Sequence, residues 1–501
     1  MRGVVAAGHP LTAEAGAQVL REGGNAVDAA VAAVLASFAV ESPLTGFGAG
    51  GYMMVHGSGE TVLVDFFVAA PGRDGIEREA ELVPVPVHFD EETTQTFFVG
   101  PASCGVPGTA AGLVHVLDRF GSAPLADLVG AGVRLAREGA PVNHEQAYIL
   151  EILAPIHERL PEARGLYAPQ GRRLREGETF RFPELAEALE RFAAEGAEPF
   201  YRGEVAAALS EFVVAGGGTL GPEDLAAYEP VERRPIRAPF RGAEVLTNPP
   251  PSSGGILIAY SLGLLERFGP HSGPEQLVAA MDASNRLRGM EFAEALYEEG
   301  MEASFLDPGG LDLAAADLLG STTHISALDS DGLCASVTCS NGSGSGVLVP
   351  GTGVILNNML GEEDLNPLGF HRIAPGRRVP SMMAPTVVLR EGEVALGIGS
   401  AGSNRIRSAI LQTVVRAVEQ GMPVGAAIEA PRLHFEQGLL QAEPGIDEAA
   451  LARLEARGVP VARRPEINLF FGGVQAVARD PASGALSGGG DPRRGGAVAT
   501  A

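Results

Sequence analysis

The sequence predicts an α/β chain, and two observations carry that reading. Alanine- and valine-rich stretches with helical periodicity fill the first half, and alternating strand patterns punctuated by turn residues gather after residue 320. The first expected helix, residues 12–21, is amphipathic. The second, about residues 26–39, is apolar nearly all round, so it belongs to a buried helical layer covering a sheet. Further helices are expected around residues 125–138, 185–194, 205–214 and 274–297. A strand opens after Thr322, Asp329-Ser330-Asp331-Gly332 supplies a solvent-facing turn, and residues 333–340 alternate again as the return strand of a hairpin. Strands near 385–389 and 393–398 and a helix over 404–419 complete an order that fits two sheets between helical layers.

Composition removes several function classes. The chain has 501 residues, 45% of them apolar, and a formal net charge of -25. No charged, Ser-rich or repeat linker divides it, so one intertwined globule is expected. No apolar run approaches the length of a bilayer span, and the negative charge repels nucleic acid and anionic membrane. Lysine is absent, which excludes a lysine Schiff base and the lysine of a phosphate-binding loop. Three cysteines, Cys104, Cys334 and Cys339, suit buried thiols rather than a disulfide framework. Cys334 and Cys339 fall five apart on the return strand, hence on opposite faces. No two of the ten histidines have the spacing of a zinc-binding helix, and Asp329-Ser330-Asp331-Gly332 lacks the remaining ligands of a calcium loop. The glycine clusters at 46–51 and 215–218 lack the strand-to-helix context of a dinucleotide site. No metal or cofactor is expected.

The chemistry points to Thr322, in Ser321-Thr322-Thr323-His324. A threonine freed at a new N-terminus is a one-residue catalytic unit. Its hydroxyl is the nucleophile, and its α-amino group, which titrates at roughly 7.7 to 8.0 when unperturbed, is the activating base. Within this segment alone an ordinary strand start explains the Thr-Thr pair as well, because threonine favours strands.

Motifs along nearly the whole chain supply the context. They run from Gly8-His9-Pro10-Leu11-Thr12 through Gly23-Gly24-Asn25-Ala26-Val27-Asp28 to Gly46-Phe47-Gly48-Ala49-Gly50-Gly51. Glu223-Asp224-Leu225, Pro249-Pro250-Pro251-Ser252-Ser253-Gly254-Gly255 and the Thr322 segment follow. Leu356-Asn357-Asn358, Ala384-Pro385-Thr386, Gly399-Ser400-Ala401-Gly402-Ser403 and Asp491-Pro492-Arg493 close the series. In this order they resemble the gamma-glutamyltranspeptidase family of N-terminal-nucleophile hydrolases, in a divergent bacterial-type form. The resemblance implies a four-layer αββα sandwich and a zymogen that cuts itself before Thr322. Residues 1–321 would then form a large subunit and 322–501 a small one, the two staying together, with a homodimer of such heterodimers also compatible.

The resemblance also assigns site residues. Gly402 and Ser403 hold the positions whose backbone N–H groups stabilise the oxyanion, although the usual second glycine is Ser403 here. Thr338, Ser340 and Asn341 stand where hydroxyl and amide groups orient the threonine and substrate. Glu362 matches the acid that binds a substrate α-amino group, with Glu363 or Asp364 as the choice after a small register shift. Two departures fall together. Asp65-Phe66-Phe67-Val68 puts Phe67 where relatives carry an arginine that clamps the α-carboxylate, and Ser381-Met382 keeps only the first hydroxyl of a Ser-Ser pair. Arg372, Arg377 and Arg378 are either a replacement cation or surface charge. The segment between Glu362 and Ser381 is short, which implies an open, water-accessible site and hydrolysis over transfer.

Three functions follow. The first is a self-processing gamma-glutamyltransferase/glutathione hydrolase working through a threonyl acyl-enzyme. The second is an amidohydrolase of the same family acting on another acyl group, cephalosporin acylase-like or oxamate amidohydrolase-like, which Phe67 and Met382 favour. The third is a noncatalytic binding protein on the same scaffold. The expected partners are a small-molecule amide and the two subunits themselves, with no nucleic acid and no membrane. Family-like sequence begins almost at Met1, so a cytoplasmic location is expected, or a periplasmic or secreted one if a leader has been removed.

Overall fold

The hairpin that starts one residue after Thr322 sets the pairing of the first sheet. The structure, a computed structural model, describes residues 1–88, 94–306 and 322–501. The core strands in chain order are β1 (Gly3–Ala7), β2 (Gly50–Gly57), β3 (Glu60–Phe66), β4 (Val231–Arg233), β5 (Ile236–Phe240) and β6 (Ala243–Thr247). After Thr322 come β7 (Thr323–Asp329), β8 (Cys334–Ser340), β9 (Thr386–Arg390), β10 (Glu393–Ala401), β11 (Gly473–Arg479), β12 (Leu486–Gly490) and β13 (Ala497–Thr500). One sheet has seven strands in the order β13-β1-β7-β8-β2-β3-β4, the other six in the order β12-β11-β10-β9-β6-β5. Every neighbouring pair is antiparallel.

Alternation along β7 and β8 builds two layers at once. Ile325, Ala327, Ala335 and Val337 pack into the core shared with the helices α1 (Pro10–Glu22) and α2 (Ala26–Val40). All fifteen residues of α2 are buried, which is why its sequence shows no polar face. The alternate residues His324, Ser326, Ser336 and Thr338 face the second sheet. Ser326 Oγ donates to the Gln475 carbonyl at 3.2 Å and Ser336 Oγ to that of Ile398 at 3.0 Å, so hydroxyls join the two sheets. His324 pairs through Nδ1 with Thr338 Oγ1 at 2.7 Å and through Nε2 with Ser326 Oγ at 3.0 Å. Burial pushes its pKa down to about 3, so the ring is neutral. Gly399 makes room for it, since a Cβ there would lie 2.2 Å from His324 Cε1. Outside the second sheet lie α3 (Ser253–Phe268), α4 (Pro274–Arg286) and α5 (Arg405–Val414), with Ile256, Leu257 and Ile406 in the common core. The result is the four-layer αββα sandwich.

Several expected elements differ in detail. The 274–297 helix is two, α4 and Met290–Ala295, with Gly289 starting the second. The 125–138 helix divides into Leu125–Leu128 and Gly130–Glu138. The 404–419 helix becomes a π turn over Val415–Glu419. The hairpin turn is exposed at Ser330 and Asp331, but Asp329 is buried, accepting from the Ala26 N–H at the start of α2 at 3.0 Å. That corrects the expectation of a wholly solvent-facing turn. Cys334 packs between the sheets and Cys339 on the helix side, and no described cysteine is bridged.

Candidate active site

Thr322 lies at the edge where β7 begins, 5% exposed, and its Oγ1 donates to Ser340 Oγ at 3.3 Å. Ser340 Oγ is itself held by the Gly342 N–H at 2.9 Å. The neighbouring Thr323 turns the other way. Its hydroxyl donates to Glu41 Oε2 at 2.5 Å while Thr12 donates to Oε1 at 2.9 Å, and burial raises the Glu41 pKa. Gly8 leaves space for this carboxyl, because a Cβ there would approach Oε2 to 2.7 Å. The antiparallel register thus sends two successive threonines to different partners. Ser321, on the far side of the expected cut, lies outside the described residues.

Thr322 borders two cavities. The smaller encloses about 310 Å³ and gathers Thr322 with Phe67, Ser340, Glu362, Ser381, Met382 and Ser403. Met359, Leu365, Met383 and Ile406 complete its apolar wall, and Asp364 adds a second carboxyl. Glu362 Oε1 accepts from the Ser343 N–H at 2.8 Å, and burial followed by the nearby Asp364 charge raises its pKa to about 8. Asp364 is raised too, by burial, and accepts from Ser403 Oγ at 2.7 Å. Ser403 has φ 49° and Gly402 φ 119°. The serine keeps a left-handed backbone that a side chain tolerates at modest cost, so the loop bends without the usual second glycine. Ser381 Oγ accepts from the Met383 N–H at 3.0 Å, and Met382 packs where a Cβ on Gly254 would lie 2.1 Å from its carbonyl oxygen.

Among the described residues, none that lines this cavity is a cation. Phe67 is 1% exposed and stacked on Tyr52 at 5.3 Å between centroids, with its N–H given to Asp65. Of the three arginines considered as replacements, Arg372 and Arg377 are exposed. Arg378 is buried but committed to Asp65 at 3.2 Å and to the Tyr228 ring, 4.4 Å from its centroid. Two expected orienting groups also lie elsewhere. Thr338 serves His324, and Asn341 is fixed through its backbone, its N–H donating to the Leu44 carbonyl at 2.8 Å, with its side chain outside the cavity wall. Gly402 does not line the cavity, although its successor Ser403 does.

The larger cavity, about 730 Å³, lies on the other side of Thr322 and is walled by the end of α2 and by residues 140–180, with Glu41, Gln146 and Arg494 among its polar groups. Sequence reading missed Glu41 and Arg494. The only signal was an acid immediately after an all-apolar helix and a second arginine after Asp491-Pro492-Arg493. Among the described residues no cluster of three or more His, Cys, Asp or Glu could hold a metal, and no helix is long and apolar enough to cross a membrane.

A family model described as gamma-glutamyltranspeptidase matches residues 12–501. The chain is 34% identical to the acylase ACY 1 proenzyme of a Pseudomonas species, over 97% of this chain and 91% of that protein. It is 33% identical to the glutathione hydrolase proenzyme of Escherichia coli, over 98% and 90%. Among solved structures, cephalosporin acylase from Bacillus halodurans superposes with a TM-score of 0.85 at 26% identity, covering 100% of this chain and 96% of that one.

Proposed function

The chain belongs to the gamma-glutamyltranspeptidase family of N-terminal-nucleophile hydrolases, and from that premise we propose that it is a self-processing amidohydrolase whose acyl group carries no free carboxylate. The observation that carries this reading is the smaller cavity beside Thr322. Its apolar wall of Phe67, Met359, Leu365, Met382, Met383 and Ile406 holds no cation to meet a carboxylate. A second reading, gamma-glutamyl hydrolysis, draws support from Glu362 and Asp364, which suit an α-amino group. That reading leaves the α-carboxylate of the same substrate without a partner.

In the proposed sequence Thr322 Oγ1 attacks the Ser321 carbonyl carbon, the peptide C–N bond breaks, and the acyl group passes from nitrogen to oxygen. Water then cleaves that ester, leaving a carboxylate on Ser321 and a free amino group on Thr322. The mature enzyme repeats the chemistry on substrate. The α-amino group takes the Oγ1 proton as the oxygen attacks the amide, and backbone N–H groups of Gly402 and Ser403 hold the oxyanion. The proton passes to the departing amine, and water resolves the acyl-enzyme. Ser340, 3.3 Å from Thr322 Oγ1, fixes the nucleophile's rotamer.

The deciding experiment compares kcat/KM of the processed protein for a gamma-glutamyl anilide, glutathione, and anilides of uncharged acyl chains, with glutaryl and oxamate amides alongside. Preference for uncharged acyl chains is expected. Preference for gamma-glutamyl compounds would replace this reading with the second, and no turnover after confirmed cleavage would leave a binding protein.

A further inference from the structure

The two cavities meet at Thr322, and a planar amide presents its acyl carbon and its nitrogen in divergent directions from the carbonyl. If the acyl chain occupies the cavity lined by Phe67 and Glu362, as the function proposed above requires, the leaving amine must project into the larger one. That cavity is mostly apolar, walled by Leu44, Val142, Ile149, Tyr167 and Phe180. Its polar groups are unevenly committed. Glu41 is tied to Thr12 and Thr323, and His324, neutral, to Thr338 and Ser326. Glu145 sits at the outer end, where it also lines the cleft around His144 and Phe470.

Arg494 differs. Its guanidinium runs beside the oxyanion loop, with Nη2 3.5 Å from where a Cβ on Gly402 would stand. Among the described residues its side chain makes a long hydrogen bond, 3.5 Å from Nη2 to the Leu469 carbonyl, and its buried Nε has no partner. Gln146 Nε2, in the same wall, is likewise buried without a partner among the described residues. Two donors, one of them cationic, therefore belong to the wall of a mostly apolar chamber that Thr322 itself lines. Arg494 is half-buried, and although the carboxylates of Asp491 and Glu41 offset its charge through space, its buried Nε is hydrogen-bonded to neither, which leaves a guanidinium donor for an incoming carboxylate. We infer that the larger cavity is the leaving-group site and that Arg494 is a specificity-determining residue, selecting amines with an apolar or aromatic body that bears a carboxylate. Arg494 stays charged at neutral pH although burial lowers its pKa to about 10.

The test uses processed enzyme and two substrates that share one acyl chain, an N-acyl-phenylalanine and the matching N-acyl-phenylalaninamide. Wild type should prefer the carboxylate, and Arg494→Gln should lower that preference tenfold or more, mainly through KM, with Arg494→Lys retaining part of it. Equal loss on both substrates would make Arg494 an oxyanion group and overturn the inference, as would an unchanged ratio. Calorimetric binding of free phenylalanine against phenylalaninamide is independent of acyl identity and of turnover. Arg494-dependent preference for phenylalanine without hydrolysis would sustain the inference and sink the amidohydrolase reading. Binding of neither compound, or binding indifferent to Arg494, would sink the inference itself.

Discussion

Thr322 and Phe67 make the sharpest residue-level predictions. Thr322→Ala should remain a single uncut chain by intact mass, because a methyl group cannot accept the acyl shift, whereas Thr322→Ser should retain some processing and turnover. A normally cut Thr322→Ala protein would remove the residue from the mechanism. Phe67→Arg should place a cation against the acyl pocket and improve carboxylate-bearing acyl groups relative to uncharged ones by about 1.5 to 3 kcal/mol in kcat/KM. An unchanged ratio on matched anilides would show that Phe67 serves only as a stacking partner of Tyr52. Thr322, Ser340, Glu362, Ser381, Met382 and Ser403 were legible because their motifs fix their places, and all line one cavity. Asn341 was not, since the backbone of Leu44 and Asn358 holds it and no local pattern reveals where its amide points. Arg494 reaches the site only through the pairing that closes the chain's end onto its beginning.

The seam between the sheets rests on a histidine filling the space left by one glycine. Gly399→Ala should cost about 1 to 3 kcal/mol or more by forcing a Cβ into the His324 ring, measured as a shifted urea midpoint. Because the clash is with that ring, the double variant Gly399→Ala with His324→Ala should be more stable than the sum of the single losses predicts. Simple additivity would mean that the strain lies elsewhere. Element legibility followed the same logic. α2 announced itself because burial on all sides demands an apolar sequence, and the Thr323 hairpin because its alternation serves two layers at once. α3 escaped. Its Ser253-Gly254-Gly255 start has the composition of a loop, and those glycines exist for close packing on Met382 and Asn248.

Across the whole molecule, burial leaves His157 with both ring nitrogens unpartnered among the described residues and its pKa lowered to about 4. The unfolded chain binds a proton there near pH 6.5 while the native state refuses it. The contribution to stability is therefore complete above about pH 6.5 and is lost as the pH falls toward 4. His157→Phe should gain about 2 kcal/mol on wild type between pH 7 and pH 5, read from urea midpoints at the two values. A pH-independent difference would place a partner on that ring. Strand order has the largest consequence. In the seven-stranded sheet β13, β7 and β8 follow Thr322 in sequence and β1, β2, β3 and β4 precede it, yet β1 is held between β13 and β7. While the chain is continuous, denaturation and recovery are first-order events within one molecule. Once the bond before Thr322 is cut, two separate polypeptides must find one another to rebuild that ladder, so recovery from denaturant becomes second-order and its yield should depend on protein concentration. Maturation would then give a working enzyme that dilution after denaturation does not restore.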